Sequence, residues 1–145
     1  MASFVYNAFK RATAEKEIDL ADDTIKIRLV MSGTTCDTEN DGIAFMGDFG
    51  TIDVADGANY AEKTLAAATV TKDDANDRAE FDADDVTYTA LGVGTRASTG
   101  AVVYFFSVND AASIPICYID FGGDVTHDGT DFVISWDAEG ILQLA

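Results

Sequence analysis

The chain has 145 residues, of which 26 are acidic and 9 are basic, so its formal net charge at pH 7 is −17. A surface this negative repels phosphate groups, which argues against nucleic acids and anionic membranes as partners. The hydrophobic fraction of 48% is that of a globular protein rather than of a disordered acidic tail. We therefore predict one domain over 1–145, with an N-terminal helix and connector at 1–20 and a β-rich body at 21–145.

The negative charge is concentrated beyond the first 28 residues. Residues 1–28 contain five basic and five acidic side chains, so this part of the chain is balanced. After Arg96 there are seven carboxylates and no lysine or arginine. One interpretation is a contact zone at the N-terminal end followed by a solvated, self-repelling remainder. The other is a protein that is acidic throughout for reasons unrelated to binding.

A short amphipathic helix is predicted at 3–14 (SFVYNAFKRATA), with Ser3 as its N-cap. Its apolar positions recur at helical spacing and present an aromatic stripe. Such a stripe packs either on its own domain or on a neighbouring subunit. In the second case, the contact residues are three aromatic side chains and two adjacent cations: Phe4, Tyr6, Phe9, Lys10 and Arg11.

The chain then changes to alternating apolar and polar positions, the pattern of β-strands. Residues 24–31 (TIKIRLVM) predict a strand buried on one side, and 101–108 (AVVYFFSV) predict a central strand buried on both sides. Residues 33–42 are typical of a loop, and 43–55 of a partly extended segment.

Further strands are predicted at 64–71, 78–83, 85–91, 114–121, 131–136 and 140–145. The first two flank an Asp- and Asn-rich turn and form a hairpin. Residues 122–131 predict a turn, after which 131–136 pairs with the preceding strand. Since no helix separates consecutive strands, we predict a mainly β fold: an antiparallel β-sandwich or jelly-roll-like arrangement with a short N-terminal helix.

One acidic segment has the spacing of a calcium-binding loop. The oxygen-bearing side chains Asp37, Glu39, Asp41 and Asp48 occupy positions 1, 3, 5 and 12 of an EF-hand pattern, with glycine at position 6. Against this, position 12 normally carries a longer glutamate, and the flanking segments do not predict helices. The alternative is a solvated turn.

The sequence shows no catalytic constellation, and we predict that the protein is not an enzyme and has no cofactor beyond that candidate calcium. His127 is the only histidine, and no serine has the surroundings of a nucleophile elbow. Cys36 and Cys117 predict buried free thiols. Trp136 lies on an apolar strand pattern, which favours a place in the core over a role in ligand stacking.

Eight segments, in order along nearly the whole chain, resemble a family of small tailed-bacteriophage proteins. They are residues 17–20 (EIDL), 23–30 (DTIKIRLV), 63–66 (KTLA), 74–78 (DANDR), 81–87 (FDADDVT), 118–124 (YIDFGGD), 131–137 (DFVISWD) and 140–142 (GIL). The chain departs from the family at 32–41, where relatives more often have a Tyr-Pro sequence.

The resemblance implies a virion structural protein, made in the host cytoplasm, with no catalytic residues. We expect a capsid decoration (cement) protein that binds the outer surface of the major capsid protein shell and itself, as a homotrimer. A tail or neck adaptor, associated with fibres, is the alternative within virions. From outside that class, the acidic loops and Trp136 suggest a calcium-dependent carbohydrate-binding module.

Overall fold

The computed structural model describes residues 2–145. Within that range, one α-helix, α1, covers Asn7–Ala14, and a 3₁₀ turn covers Met46–Asp48. The strands are β1 Phe4–Val5, β2 Ile25–Met31, β3 Lys63–Thr64, β4 Thr69–Asp73, β5 Arg78–Asp82, β6 Val86–Tyr88, β7 Ser98–Phe105, β8 Ile114–Val125, β9 Phe132–Ile134 and β10 Leu142–Leu144. Every strand pairing is antiparallel, so the predicted mainly β, sandwich-like fold with one short helix is confirmed.

The largest sheet has five strands in the order β1-β8-β7-β2-β3, so β7 lies at its centre. Residues 100–104 of β7 are all buried, although successive side chains point to opposite faces. This confirms a central strand in the apolar run at 101–108, but the strand both begins and ends three residues earlier, at Ser98 and Phe105, and Val108 is 84% exposed. Because β7 is apolar on both sides, each face of the sheet must be covered.

The first face supports the main hydrophobic core. Its β2 side chains Ile25, Ile27 and Leu29 are at most 1% exposed, and α1 packs into the same core through Phe9 and Ala12. Two smaller sheets, with strand orders β10-β5-β4 and β6-β9, complete the layer. They contribute Phe81, Val86, Tyr88, Ile134 and Leu142.

The second face is covered by residues 33–55, a largely irregular segment that we call the cover segment. Val30, Val102, Tyr104 and Tyr118 of the sheet pack there against Tyr6 and against Cys36, Met46 and Phe49 of the cover segment. The prediction that β2 has a solvent-facing side was therefore wrong. Val30, on that side, is 0% exposed.

The N-terminal helix is shorter than predicted. Phe4 and Val5 form β1 and pair with Tyr118 and Cys117 of β8, so the helix begins at Asn7 and Ser3 is not its N-cap. Pairing with the edge of β8 satisfies backbone groups that a helix at these positions would leave unpaired.

The predicted turn at 122–131 is confirmed only for 126–131, which lie outside the strands, and the predicted strand partner of β9 was wrong. β8 continues through Gly122 and Gly123 to Val125, with Gly122 at a φ of +76° and an irregular register beside it. The glycines therefore bend a strand instead of ending it. β9 pairs with β6 and not with the preceding strand.

The predicted hairpin is present, but its first strand begins five residues later and ends two residues later than predicted. β4 pairs with β5 from Thr69 to Asp73, whereas Lys63 and Thr64 form β3 and pair with β2. Ala67 between them adopts a φ of +53°. The break falls inside an apolar pattern that looks continuous in the sequence.

Gly100 is required where β7 and β8 approach each other closely. A Cβ at this position would overlap the Tyr118 hydroxyl and lie 2.5 Å from the Ile119 carbonyl oxygen. We expect Gly100→Ala to lower the free energy of unfolding by about 2 kcal/mol, as overpacking of a filled site does. Urea denaturation monitored by circular dichroism measures this change.

Gly123→Ala is the matched control, because it places a methyl group on β8 where no atom lies within 4 Å. We expect that variant to stay within about 0.5 kcal/mol of the unmodified protein. Equal stability of the two variants would contradict the packing described here.

Candidate functional site

Two of the predicted N-terminal contact residues belong to the interior. Tyr6 and Phe9 are both 0% exposed. The Tyr6 hydroxyl donates to the Cys36 carbonyl oxygen at 2.6 Å, and its ring packs edge-on against Phe49. Phe9 lies in the main core. The prediction that these rings form a contact stripe was wrong, because the two faces of the large sheet bury them within their own chain.

The other three predicted contact residues lie at the surface. Phe4 is half-buried, with its ring 4.8 Å from that of Tyr6 and 5.9 Å from that of Tyr118. Lys10 and Arg11 lie on the exposed side of α1. Arg11 pairs with two glutamates of the same segment, whereas the Lys10 ammonium lies 3.4 Å from the Asn7 side chain.

The start of α1 is fastened to the cover segment. The Asn7 backbone N–H donates to Asn40 Oδ1 at 2.9 Å, 33 positions away in sequence. Asn40 therefore supplies the capping acceptor that the N-cap residue, Tyr6, does not provide. A groove of about 480 Å³ runs beside this contact, between α1 and residues 40–44.

The structure gives the predicted calcium ligands other partners. Glu39 Oε2 accepts hydrogen bonds from Thr35 Oγ1 at 2.7 Å and from the Gly50 N–H at 2.8 Å. Asp48 Oδ2 accepts from the Ala44 and Phe45 backbone N–H groups at 2.9 and 2.8 Å. These hydrogen bonds hold the pKa of the Asp48 carboxyl below its usual range.

These carboxylates therefore hold turns of the cover segment together. The elements before and after this loop are the strands β2 and β3, not the helices of an EF-hand, and the 3₁₀ turn Met46–Asp48 is the end of the loop itself. Asp37 and Asp41 do not join Glu39 and Asp48 in a ligand set, since no group of three or more His, Cys, Asp or Glu side chains within residues 2–145 is arranged to hold a metal ion.

A charged cluster that the sequence did not reveal lies on the second face of the large sheet. We call Lys26, Arg28, Glu62, Tyr104 and Asp110 the Arg28 cluster. Arg28 donates to both Asp110 oxygens at 3.1 Å and, through Nε and Nη2, to Glu62 Oε2 at 3.1 and 3.0 Å. Lys26 donates to Glu62 Oε1 at 3.2 Å, and the Tyr104 hydroxyl donates to Glu62 Oε2 at 2.5 Å.

Hydrogen bonding outweighs burial in setting the charge of this cluster. Burial raises the pKa of the Glu62 carboxyl, but donors from Tyr104, Arg28 and Lys26 lower it further, so the pKa lies below its usual range. Burial, together with the hydrogen bond to Glu62, raises the pKa of the Tyr104 hydroxyl. Two cations thus face two carboxylates, and the cluster is neutral overall.

The cluster joins three distant parts of the chain. Glu62 is 34 positions and Asp110 is 82 positions from Arg28. The Arg28 side chain is only 12% exposed, so its charge is held away from most solvent. The sequence does show two of the nine cationic side chains on one side of β2. No pattern in it identifies the carboxylates that pair with them.

The structure also brings together a serine and the histidine. Ser98 Oγ and His127 Nε2 are 2.9 Å apart. Ser98 is 1% and His127 is 7% exposed, and the imidazole packs edge-on against Phe132. Burial lowers the pKa of His127, although Asp128 opposes this. A substrate could not reach the buried hydroxyl in this conformation, so we assign the pair to the fold.

Cys36 and Cys117 are buried free thiols, as predicted. Burial raises the pKa of Cys36 to about 11 and that of Cys117 to about 12, which disfavours the reactive thiolate. Trp136 packs against the main core as a half-buried side chain, and its indole N–H donates to the Asp84 carbonyl oxygen at 3.0 Å. Its polar atom is therefore used within the chain.

Comparison of the chain with models of known families, with curated proteins and with solved structures finds no match. Among residues 2–145, none of the helical structure has the length and apolar character needed to cross a membrane.

Arg28→Met tests whether the cluster stabilises the fold. The substitution leaves Asp110 without a cation and leaves Glu62 with Lys26 as its only cation, and we expect it to lower the free energy of unfolding at pH 7 by about 2 kcal/mol. The deficit should shrink on acidification: the folded-state pKa of Glu62 is depressed, so its stabilisation is present above pH 4.5 and is lost as the pH falls through the lower folded value. Chemical denaturation across this pH range measures both effects.

Arg11→Met is the matched control, since Arg11 also pairs with two carboxylates but its side chain is 43% exposed. We expect that change to cost less than about 1 kcal/mol at pH 7. Similar costs for the two variants would show that the Arg28 cluster is no more important than a surface ion pair.

Proposed function

We propose that the chain is a structural protein of a tailed-bacteriophage particle. Within that class, the proposed role is a decoration (cement) protein that binds the outer surface of the major capsid protein shell. The observation that carries the proposal is the ordered resemblance to small tailed-bacteriophage proteins along nearly the whole sequence.

The fold supports the proposal because the resembling segments are framework elements. Residues 23–30 contain most of β2, including Arg28, and residues 118–124 lie within β8. Residues 81–87 include two of the three residues of β6, and residues 131–137 include its partner β9. A resemblance carried by paired strands concerns the architecture as a whole and not one loop.

The charge distribution supports contact through the N-terminal part of the chain. That part is balanced in charge, whereas the remainder supplies the entire net charge of −17. Since Tyr6 and Phe9 are buried, the contact residues of the proposal are Phe4, Lys10 and Arg11. A cationic side chain on the exposed side of α1 would meet acidic groups on a shell.

The copy number of the chain in purified phage particles tests this proposal. A decoration protein covers the shell, so we expect its abundance, measured by quantitative mass spectrometry, to be of the same order as that of the major capsid protein. A few copies per particle would favour the tail or neck alternative, and absence from the particle would refute a virion role.

Lys10→Glu then tests the proposed contact face on capsids assembled without the chain. We expect about fivefold weaker binding, the effect of losing a rim charge worth roughly 1 kcal/mol. Lys10→Arg keeps the charge and should bind normally. Deletion of 1–14 is unsuitable, because it removes β1 and the buried Tyr6 and Phe9. Unchanged binding of Lys10→Glu would refute this face.

A further inference from the structure

The chain contains three Asp-Gly pairs, at 41–42, 56–57 and 128–129. At such a pair an aspartate side chain reacts readily with the backbone, because glycine has no side chain to hinder its own amide nitrogen and has wide conformational freedom. All three aspartates are exposed, so access to water does not distinguish the pairs. Their hydrogen bonds and their packing do distinguish them.

The reaction is an intramolecular condensation followed by a hydrolysis. The glycine amide nitrogen attacks Cγ of the aspartic acid, a C–N bond forms, and the Cγ hydroxyl leaves with the amide proton as water. The resulting succinimide ring then takes up a water molecule. Cleavage between the nitrogen and Cγ restores aspartate, whereas cleavage between the nitrogen and the main-chain carbonyl carbon gives isoaspartate. The reaction needs water and no other reagent.

The pair Asp56-Gly57 is held in a conformation that opposes this attack. The two Asp56 carboxylate oxygens accept hydrogen bonds from the Thr95 backbone N–H at 2.7 Å and from Thr95 Oγ1 at 2.5 Å. Gly57 is closely packed, since a Cβ there would lie 2.1 Å from the Gly92 carbonyl oxygen. The side chain and the backbone that would have to rotate together are therefore both fixed.

At the pair Asp128-Gly129, the attacking nitrogen is itself engaged. The Gly129 N–H donates to the Leu91 carbonyl oxygen at 2.8 Å. Asp128 Oδ1 accepts from the Thr130 backbone N–H at 3.1 Å and from Thr130 Oγ1 at 2.6 Å. These hydrogen bonds must open before the ring can close.

Hydrogen bonding also reduces the amount of the reactive acid form at these two pairs. The carboxylic acid is the form that reacts, because a carboxylate is a poor electrophile. Donors from Thr95 hold the pKa of Asp56 below its usual range, and donors from Thr130 do the same for Asp128. At neutral pH both side chains therefore spend less time as the acid.

The pair Asp41-Gly42 lacks all of these restraints. Within residues 2–145, no hydrogen bond reaches the Asp41 carboxylate, and the Gly42 N–H has no acceptor. Gly42 lies in a turn at a φ of +80°, and a Cβ there would meet nothing within 4 Å. The Asp41 side chain and the Gly42 amide are thus free to approach each other.

We propose that Asp41 converts spontaneously to isoaspartate in the folded protein, and that it is the preferred site of this modification among the three pairs. Isoaspartate continues the main chain through its side-chain carbonyl, so it adds one CH₂ group to the backbone directly after Asn40. Asn40 Oδ1 accepts the Asn7 N–H at the start of α1. The modification therefore alters the attachment of α1 to the cover segment. This inference does not depend on the proposed virion role.

Peptide mapping of the aged, folded chain tests the proposal. After incubation for weeks at neutral pH and physiological temperature, electron-transfer fragmentation distinguishes isoaspartate from aspartate at each position. We expect isoaspartate to accumulate at position 41 and to form at least about tenfold more slowly at 56 and 128, where local opening must come first. Absence of isoaspartate at 41, or similar rates at the three pairs, would overturn the proposal.

Incubation of the chain in urea separates the effect of the fold from that of the local sequence. Unfolding removes the hydrogen bonds at 56 and 128, so we expect the rates at the three pairs to become similar. A preference for position 41 that persists unchanged in urea would overturn the structural explanation. Asp41→Glu is the control variant: glutamate would have to close a larger ring, so isomerisation at 41 should cease while the rates at 56 and 128 stay the same.

Hydrogen exchange at Asn7 tests the consequence for α1. In the isoaspartate form, separated by chromatography, we expect the Asn7 amide to exchange faster than in the unmodified chain, while amides of β7 keep their protection. Equal exchange of the Asn7 amide in the two forms would overturn the inferred effect on the attachment of the helix.

Discussion

Burial of both faces of β7 is the constraint on which the rest of this structure depends. A strand with two apolar faces at the centre of a sheet requires a cover on each side. On one side, two small sheets and α1 provide that cover and form the main core. On the other side, the cover is a segment with almost no regular secondary structure, and it must be held by side chains instead of by a hydrogen-bonded ladder.

The contacts that hold the cover segment explain several features that otherwise look unrelated. Tyr6 is buried because its ring and hydroxyl reach Phe49 and Cys36. Asn40 reaches back to α1, and Glu39 and Asp48 accept backbone hydrogen bonds within the segment. Carboxylates that resemble a cation site in the sequence thus organise irregular backbone.

The Arg28 cluster neutralises charged side chains that lie on the same face of the large sheet. β2 carries Lys26 and Arg28 on the side opposite its aliphatic core residues, and the sheet partly buries this side. Unpaired, these cations would destabilise the fold, but Glu62 and Asp110 neutralise them and tie two loops to the sheet. These two carboxylates therefore stabilise the fold, although the acidity of the chain suggests that its carboxylates lie only on a solvated surface.

Features that depend on residues close together in the sequence could be predicted, whereas features that depend on distant residues could not. The apolar run of β7, the β4–β5 hairpin and the buried thiols are recorded in local patterns. The start of α1 and the partner of β9 were mispredicted because strand pairing with β8 and β6 decided them. The Arg28 cluster and the Ser98–His127 pair join residues between 29 and 82 positions apart. For Arg28, no local pattern indicates which of the 26 acidic side chains are its partners.

Native-state hydrogen exchange tests most directly the claim that the cover segment belongs to the cooperative structure. The Thr35 and Met46 amides donate to the Thr51 and Ser113 carbonyl oxygens at 2.8 Å. We expect their opening free energies to approach those of the β7 amides, because uncovering the second face would expose Val102 and Tyr104. Exchange of these amides at the rate of an unprotected loop, while β7 stays protected, would contradict the account.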